Sequence, residues 1–177
     1  GQFYSPQGIA LDSASNVYVA DHGHHRVQKF TAQGDFLLKW GSEGTDDGQF
    51  KGVFAVAVDG EGSVYVADNN YARIQKFTSQ GEFLLKWGAS GEGEGQFHII
   101  RDIAVDGAGN VYVTDSHRIQ VFDSNGRFLR KWGSYGNGDG QLIYPGRLAV
   151  DEEGNVYVTD GGNDRVQVFD PDGRFLR

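Results

Sequence analysis

Hydrophobic and polar residues alternate along most of this chain in short runs with a period of two. Such alternation is typical of β-strands, because successive side chains point to opposite faces of a sheet. In the first 40 residues it predicts four strands, over residues 8–12, 16–21, 26–30 and 35–40. The links within the first and the last pair of runs are rich in Asp, Asn, Gly and Ser, as hairpin turns are. The four runs therefore predict one antiparallel meander of four strands.

This unit of four runs occurs four times along the chain. Its starting pair, Gln-Phe or Gln-Leu, stands at residues 2, 49, 96 and 141, which gives spacings of 47, 47 and 45 residues. A period of this length is typical of propellers, solenoids and arrays, and one four-stranded meander per repeat is a propeller blade. We therefore predict an all-β fold, a single β-propeller domain over residues 1–177 built of four-stranded antiparallel blades. The blades are expected at about residues 1–46, 47–93, 94–138 and 139–177.

Several residue types recur at fixed places in the repeat and fit blades that are buried on both faces. Alanine recurs in the first strand, where strands crowd near the axis, and lysine recurs in the last strand, where a charge discourages edge-to-edge pairing. The recurring aromatic residues are interpreted as core rather than as a surface that stacks on a cofactor. The positions are Ala10, Ala57, Ala104 and Ala149; Tyr18, Tyr65, Tyr112 and Tyr157; Phe30, Phe77, Phe122 and Phe169; and Lys39, Lys86 and Lys131.

The repeat follows the pattern Gly-Gln-Phe…Pro-x-Gly-Ile-Ala-Val-Asp…Gly-Asn-Val-Tyr-Val-x-Asp…Asn-x-Arg-(Ile/Val)-Gln-x-Phe, which is nearly complete over residues 1–30 and 140–169. This pattern resembles the NHL repeat family, and the resemblance covers the whole chain. NHL proteins are usually six-bladed propellers, so the resemblance implies such a ring, whereas this chain holds four blades. We favour an arc of a larger ring over a closed four-bladed ring. An arc would leave apolar faces bare at its two ends, and such faces normally indicate association.

Composition and charge narrow the classes of partner. The formal net charge is −8, from 24 acidic against 16 basic side chains, which opposes the clustered Lys and Arg that nucleic-acid binding needs. There is no Cys, so disulfides and thiolate metal sites are excluded. No apolar run approaches the roughly 18–20 residues of a membrane span. No Met occurs at any position, so we expect a processed or partial product.

The start of the first strand differs most between repeats and provides the first group of candidate binding residues. Where a Gly or another small residue is expected, the third and fourth repeats carry Arg101, Asp102 and Arg147. These residues would place charge at the axial mouth of the propeller, where they would bind a polar ligand or partner. The alternative is an ion pair between neighbouring blades, for example Asp102 with Arg147. Gln7 and Phe54 belong to the same mouth.

The loop between the second and third strands provides the second group. It has equal length in three repeats and is two residues shorter in the third, which accounts for the spacing of 45 residues. A shortened loop breaks the symmetry of the binding face, and a repeat platform can acquire one particular partner in this way. The candidate binding residues of this face are His98 and His117 in the third repeat and Tyr71 in the second. The Asp and Arg that flank the loop recur in every repeat and predict a structural Asp–Arg brace.

The first of these loops contains His22, His24 and His25. Neutral imidazole is a common zinc ligand, but three His within four residues of a loop seldom converge on one tetrahedral ion. The acidic links at residues 43–47 and 92–94 could associate weakly with Ca²⁺, although Gly-rich acidic loops are more often solvated. We therefore expect no metal site and no cofactor.

These features favour a non-catalytic binding or assembly module, a scaffold that presents propeller loops to a protein or glycan partner. Self-association through exposed blade faces and membership of a larger surface assembly are part of this hypothesis. By analogy with similar NHL proteins we expect an extracellular or cell-surface location, with the cytoplasm as the alternative.

Two other functions are weighed against this one. Some NHL-type propellers resemble peptide-amidating lyases with an axial metal, which would make the chain a lyase or hydrolase. However, it has no Cys, only His98 near the mouth, and no Gly-x-Ser-x-Gly, His-Glu-x-x-His or Gly-rich phosphate loop. Some NHL domains bind RNA on a basic top face, and the acidic loops of this chain oppose that function.

Overall fold

All residues from 1 to 177 are described by the computed structural model, in which four antiparallel sheets form the blades of a β-propeller. The first blade comprises β1 (Pro6–Leu11), β2 (Val17–Asp21), β3 (Arg26–Phe30) and β4 (Phe36–Trp40). The second comprises β5 (Val53–Val58), β6 (Val64–Asp68), β7 (Arg73–Phe77) and β8 (Phe83–Trp87). The third comprises β9 (Ile100–Val105), β10 (Val111–Asp115), β11 (Arg118–Phe122) and β12 (Phe128–Trp132). The fourth comprises β13 (Pro145–Val150), β14 (Val156–Asp160) and β15 (Arg165–Phe169). The predicted all-β propeller is confirmed.

The first strand of the first blade begins two residues earlier than the alternation predicts, because it contains a β-bulge. Pro6 pairs with Asp21, and the register shifts before Ile9 pairs with Val19. The bulge places an extra residue at the axial end of the strand, and comparable register shifts occur in the other three blades. Bulges re-aim side chains at the ends of strands, and here they shape the axial mouth.

An aspartate holds the turn between the first and second strands. In the second blade, Asp59 Oδ1 accepts the backbone N–H groups of Glu61 and Ser63 at 3.0 and 2.8 Å. Its Oδ2 accepts the hydroxyl of Tyr65 at 3.0 Å, and Tyr65 is fully buried. Gly62 has a φ of +85°, a conformation that favours glycine. One side chain therefore fixes both the turn and a core residue of the blade.

Each blade has two faces. We call the face that packs on the next blade in the chain the trailing face, and the face that packs on the preceding blade the leading face. Between the first and second blades, Tyr18 and Val27 on the trailing face pack with Val64 and Val66 on the leading face. Equivalent clusters join the second blade to the third and the third to the fourth. The core is therefore divided among the interfaces between blades, as the buried tyrosines and alanines of the repeat predict.

A tryptophan at the end of the fourth strand extends each interface. The Trp40 ring centroid lies 5.8 Å from that of Phe77 in the next blade. A Cβ atom added to Gly81 would come within 2.8 Å of the Trp40 indole, so the absence of a side chain at this turn makes room for the tryptophan. The corresponding pairs in the next two interfaces are Trp87 with Gly126 and Trp132 with Gly173.

The two ends of the propeller are uncovered. Ile9 on the leading face of the first blade is 69% exposed, whereas its counterpart Ile103 is 4% exposed. Val166 on the trailing face of the fourth blade is 58% exposed, whereas its counterpart Ile119 is fully buried. A Cβ atom added to Gly34, the first-blade counterpart of Gly81, meets nothing within 4 Å, so its tryptophan site is empty.

Packing between the innermost strands also stops at these ends. Strand β1 packs on β5, β5 packs on β9, and β9 packs on β13, whereas β13 and β1 have no comparable contact. The four blades therefore form an arc around the axis, with one bare apolar face at each end.

The fourth blade departs from the predicted four strands. After β15 an antiparallel bridge joins Phe169 to Phe175. The Leu176 N–H donates to the Val168 carbonyl and the Val168 N–H donates to the Arg177 carbonyl, each at 2.8 Å, so a short segment pairs with β15 in place of a full fourth strand. The helical segments are three 3-10 turns of three residues each, and none has the length of a membrane span.

Candidate binding site

The loops between second and third strands and the links between blades meet on one face of the propeller, which we call the loop face. A fully buried aspartate holds them together. In the fourth blade Asp160 accepts the Ile143 backbone N–H at 2.7 Å, Arg165 Nε at 2.9 Å and Gln167 Nε2 at 2.9 Å. The predicted Asp–Arg brace is confirmed in this blade and in the other three. Those pairs are Asp21 with Arg26, Asp68 with Arg73, and Asp115 with Arg118.

Hydrogen bonds keep the brace carboxylates of Asp160 and Asp21 ionised despite their burial. Burial alone would raise the pKa of Asp160, but hydrogen bonds from Asn163, the Ile143 N–H and Arg165 outweigh it and hold that pKa below its usual range. The pKa of Asp21 is lowered in the same way. Each of these carboxylates therefore carries its full charge at neutral pH and fixes the surrounding backbone.

The third blade has a different loop on this face. Asp115 pairs directly with Arg118, so Ser116 and His117 alone connect β10 to β11. Ser116 has a φ of +56°, as tight two-residue hairpin connections require. The other three blades have a 3-10 turn in this place, and these turns are His22–His24, Asn69–Tyr71 and Gly161–Asn163.

The missing turn leaves a cleft on the loop face. In the second blade the turn reaches the next blade, because Asn69 Oδ1 accepts the Ile100 backbone N–H at 2.8 Å. No side chain of the third-blade connection makes such a hydrogen bond to the backbone of the fourth blade. A cleft of about 450 Å³ lies beside this connection. We call it the third-blade cleft. Its polar lining includes Glu92, His98, Ser116, His117, Arg118 and Ser134.

Two buried polar atoms of the cleft have no hydrogen-bond partner. They are the hydroxyl oxygen of Ser116 and Nδ1 of His117. Buried polar atoms in folded proteins are nearly always paired, and an unpaired one calls for an explanation such as a bound water or ligand. Arg118, by contrast, is fully engaged, because it binds the Asp115 carboxylate at 2.8 Å and donates to the backbone carbonyls of Gln96 and Glu92.

Two exposed tyrosines stand beside the cleft. Tyr135 is 66% exposed and Tyr144 is 62% exposed. Their ring centroids lie 4.9 and 6.1 Å from the imidazole of His117. Tyr144 has a φ of +50°, in the left-handed region that a bulky residue rarely adopts. The third-blade cleft thus has two unpaired polar atoms buried in its wall and two exposed tyrosine rings next to its lining.

The residues predicted for the axial mouth form a separate group. Arg147 Nη1 lies 3.4 Å from Asp102 Oδ1, and Asp102 Oδ2 accepts the Leu148 backbone N–H at 3.0 Å. The ion pair between neighbouring blades, offered as the alternative to a ligand site, is therefore present. Arg147 Nη2 also lies 3.5 Å from the carbonyl oxygen of Gln7. Burial raises the pKa of Asp102, and the Leu148 N–H and Arg147 act in the opposite direction.

The other predicted residues lie at several places. Arg101 has no carboxylate within 4 Å, and the ring of Phe54 lies edge-on to that of His22 at 6.3 Å. Tyr71 packs under the Arg73 guanidinium at 5.2 Å, in the second blade. His98 and His117 are brought together in the third-blade cleft.

The three histidines of the first loop point to different partners. His22 Nδ1 lies 3.3 Å from the Val53 carbonyl, His24 Nδ1 binds the Asp21 carboxylate, and His25 Nδ1 lies near the Lys51 carbonyl. No group of three or more His, Asp or Glu side chains in the chain is arranged to hold a metal ion.

Sequence reasoning missed Ser116 in the third-blade cleft and Tyr135 and Tyr144 beside it, and it named Glu92 only within the acidic link at 92–94. The signal for the tyrosines lies in the blade links. Tyr135 stands where the first two repeats have Glu43 and Ser90, and Tyr144 stands where the others have Ser5, Gly52 and Ile99. Comparing the links as well as the loops would have revealed both.

Comparison with protein families supports the repeat assignment. A family model described as NHL repeat matches residues 3–30 and 142–169, which lie in the first and fourth blades. The protein brain tumor of Drosophila melanogaster is 39% identical over 49 residues, which cover 28% of this chain and 5% of that protein. The chain therefore spans a small part of this relative.

Solved structures resemble the whole arc. A streptogramin B lyase structure superposes with a TM-score of 0.74 at 16% identity, covering 97% of this chain and 53% of the lyase. A protein of unknown function from Bacteroides caccae superposes with a TM-score of 0.70 at 20% identity, covering 97% of this chain and 65% of that one. At such identities the likeness shows the fold alone. The chain spans about half to two thirds of these structures.

Proposed function

We propose that this chain, an NHL-repeat β-propeller, is a non-catalytic binding module that engages a protein or glycan partner through its loop face. The third-blade cleft is the centre of that contact. The observation that carries the proposal is the shortened loop of the third blade, which leaves Ser116 Oγ and His117 Nδ1 unpaired beside two exposed tyrosines. Polar groups and aromatic rings gathered in a concave site are typical of ligand recognition.

The braces support a binding role because they make the loop face rigid. Asp115 accepts the backbone N–H groups of His98 and Ile99 at 2.8 and 3.1 Å and also binds Arg118. These contacts fix the blade link and the loop on either side of the cleft. A site that is ordered before binding loses less entropy when its partner arrives.

The same geometry favours binding over catalysis. A catalytic serine needs an adjacent base within hydrogen-bond reach, and Ser116 Oγ has no hydrogen-bond partner. The lyase among the similar structures shares the fold at 16% identity, which gives no support for a shared reaction. The net charge of −8 also disfavours RNA as the partner. The extracellular or cell-surface location stays a prediction.

Assembly is a second candidate function, and the bare ends favour it. The tryptophan site beside Gly34 is empty, while the equivalent sites at Gly81, Gly126 and Gly173 are filled by the preceding blade. In this proposal a second copy of the chain places the trailing face that carries Val166 on the leading face that carries Ile9. Such a head-to-tail contact gives a closed ring or an open filament.

A loop graft tests the binding function. Replacing Ser116 and His117 with Asn-Asn-Tyr-Ala, the connection of the second blade, restores the missing turn and fills the third-blade cleft. With the wild-type chain immobilised, a discrete partner should be retained from an extract of the source organism, and the graft should reduce its retention at least about tenfold. The measurement is quantitative elution, with an unfolding curve to show that the graft folds.

The control graft places Asn-Asn-Tyr-Ala in the first blade, over residues 22–25, where the loop length does not change. It should leave retention intact. Equal retention by the two grafts, or no partner retained by the wild-type chain, would contradict the proposed site.

A further inference from the structure

The chemistry of the third-blade cleft, given the proposed binding function, indicates what kind of group it recognises. Arg118 and Asp115, two of the three Asp, Glu or Arg residues of its lining, are already paired, whereas the third, Glu92, is exposed. The Arg118 guanidinium binds the Asp115 carboxylate and two backbone carbonyls, and Asp115 is fully buried. No cation is therefore free to bind an anionic ligand, and no ligand set is present for a metal ion. The lining therefore disfavours an anionic ligand.

The exposed polar groups of the lining suit a ligand that both donates and accepts hydrogen bonds. Ser116 Oγ and His117 Nδ1 are buried in the wall of the cleft, whereas the exposed His98 imidazole can donate or accept, depending on its tautomer. The exposed Ser134 hydroxyl can donate and accept, and the exposed Glu92 carboxylate adds an acceptor at the rim. Several hydroxyl groups on one ligand would satisfy these atoms together, whereas a purely apolar ligand would leave them unpaired at a cost.

The tyrosines require that the same ligand also has an apolar face. Tyr135 and Tyr144 are more than 60% exposed and flank His117. No other blade has an aromatic residue at either position, so these rings are particular to the surroundings of the cleft and are not a feature of the repeat. A tyrosine ring offers a flat apolar surface whose hydroxyl can still be solvated. The ligand therefore has hydroxyl groups at its edge and C–H groups on its face.

We propose that the third-blade cleft binds a neutral pyranose ring of a glycan, with the ring's C–H face against Tyr135 or Tyr144 and its hydroxyls on the exposed groups of Glu92, His98 and Ser134. The cleft volume of about 450 Å³ falls within the range of about 300–1,000 Å³ that small-molecule sites occupy. This proposal rests on the proposed binding function and names the chemistry of its partner. A peptide of a protein partner is the other outcome of the test.

The test uses the 177-residue chain with methyl pyranosides of glucose, galactose, mannose and N-acetylglucosamine. Saturation-transfer NMR should detect binding of at least one of them, with the strongest transfer to the ring C–H protons. Tyr135→Ala should weaken that binding at least about tenfold. The matched control is Tyr4→Ala, because Tyr4 is 65% exposed on the first-blade link and should leave the affinity unchanged. A methyl glucuronide should bind no more tightly than the neutral sugars, because Arg118, the arginine of the cleft lining, is already paired and cannot bind the glucuronide carboxylate.

Two results overturn the proposal. One is that no neutral pyranoside binds, either free in solution or on a glycan array. The other is that Tyr135→Ala and Tyr4→Ala behave alike. If sugars fail while the third-blade graft still abolishes partner retention, the glycan inference falls and the binding function stands. If the graft has no effect either, both fall.

Discussion

Replacing Asp160 with Ala is expected to lower the free energy of unfolding by about 3–5 kcal/mol, the cost of leaving one member of a buried ion pair without its partner. Asp160 is fully buried and accepts hydrogen bonds from the Ile143 N–H, Asn163, Arg165 and Gln167. Its removal leaves the Arg165 guanidinium uncompensated and frees the link to the third blade. Chemical denaturation at pH 7, followed by tryptophan fluorescence, measures the loss.

The control for this variant is Asp47→Ala. Asp47 binds Lys86 at 2.6 Å, but both side chains are about half exposed, and such surface pairs contribute less than about 1 kcal/mol. A loss of similar size in the two variants would contradict the role assigned to the brace.

Acidification should erase the difference between the wild type and Asp160→Ala. The folded-state pKa of Asp160 lies below its usual range, so its contribution is present above the unfolded-state pKa of about 3.9 and is lost as the pH falls through the folded-state value. The gap in unfolding free energy should therefore shrink below about pH 4. A gap of constant size from pH 7 to pH 3 would show that the carboxylate charge is not what stabilises the link.

Ile103→Ala should lower the free energy of unfolding by about 2–5 kcal/mol, whereas Ile9→Ala should lower it by less than about 1 kcal/mol. The two isoleucines occupy the same position of the repeat, but Ile103 is 4% exposed and Ile9 is 69% exposed. The difference between the variants isolates burial between blades, because residue type and local strand structure are the same. Urea unfolding of dilute protein measures both values.

The Ile9→Ala and Ile103→Ala variants also test whether the chain assembles through the leading face of the first blade. If a second copy covers the leading face of the first blade, Ile9 becomes buried, and Ile9→Ala should become destabilising as protein concentration rises. Sedimentation of the wild-type chain should then show mass above the 19.4 kDa of one chain. A monomer at all concentrations, with Ile9→Ala silent throughout, would rule out a second copy at this face.

The sequence predicts the blade well because each local signal points to the same structure. The third strand of the first blade was expected over residues 26–30 and is found at Arg26–Phe30. The same pattern occurs in all four repeats, and each occurrence supports the same strand prediction. The start of the first strand was missed because a bulge is invisible in a pattern of period two, and β1 begins at Pro6.

The candidate site was only partly predictable. The short third loop and His117 stand out against the other repeats, and the structure places His98 beside them. Tyr135 and Tyr144 are far from His117 in sequence and reach it only because the link and the next blade fold back over the loop. Whether an atom such as Ser116 Oγ lacks a hydrogen-bond partner depends on which groups the fold places around it, and a sequence pattern does not specify those groups.

Photo-crosslinking at Tyr135 tests most directly whether the third-blade cleft is the binding site. A benzoylphenylalanine would replace Tyr135 in one chain and Glu43, its first-blade counterpart, in another, with both chains produced in the source organism. We predict a discrete, light-dependent conjugate of higher mass from position 135 and none from position 43. Equal conjugates at both positions, or a conjugate at position 43 alone, would contradict a site centred on the third blade.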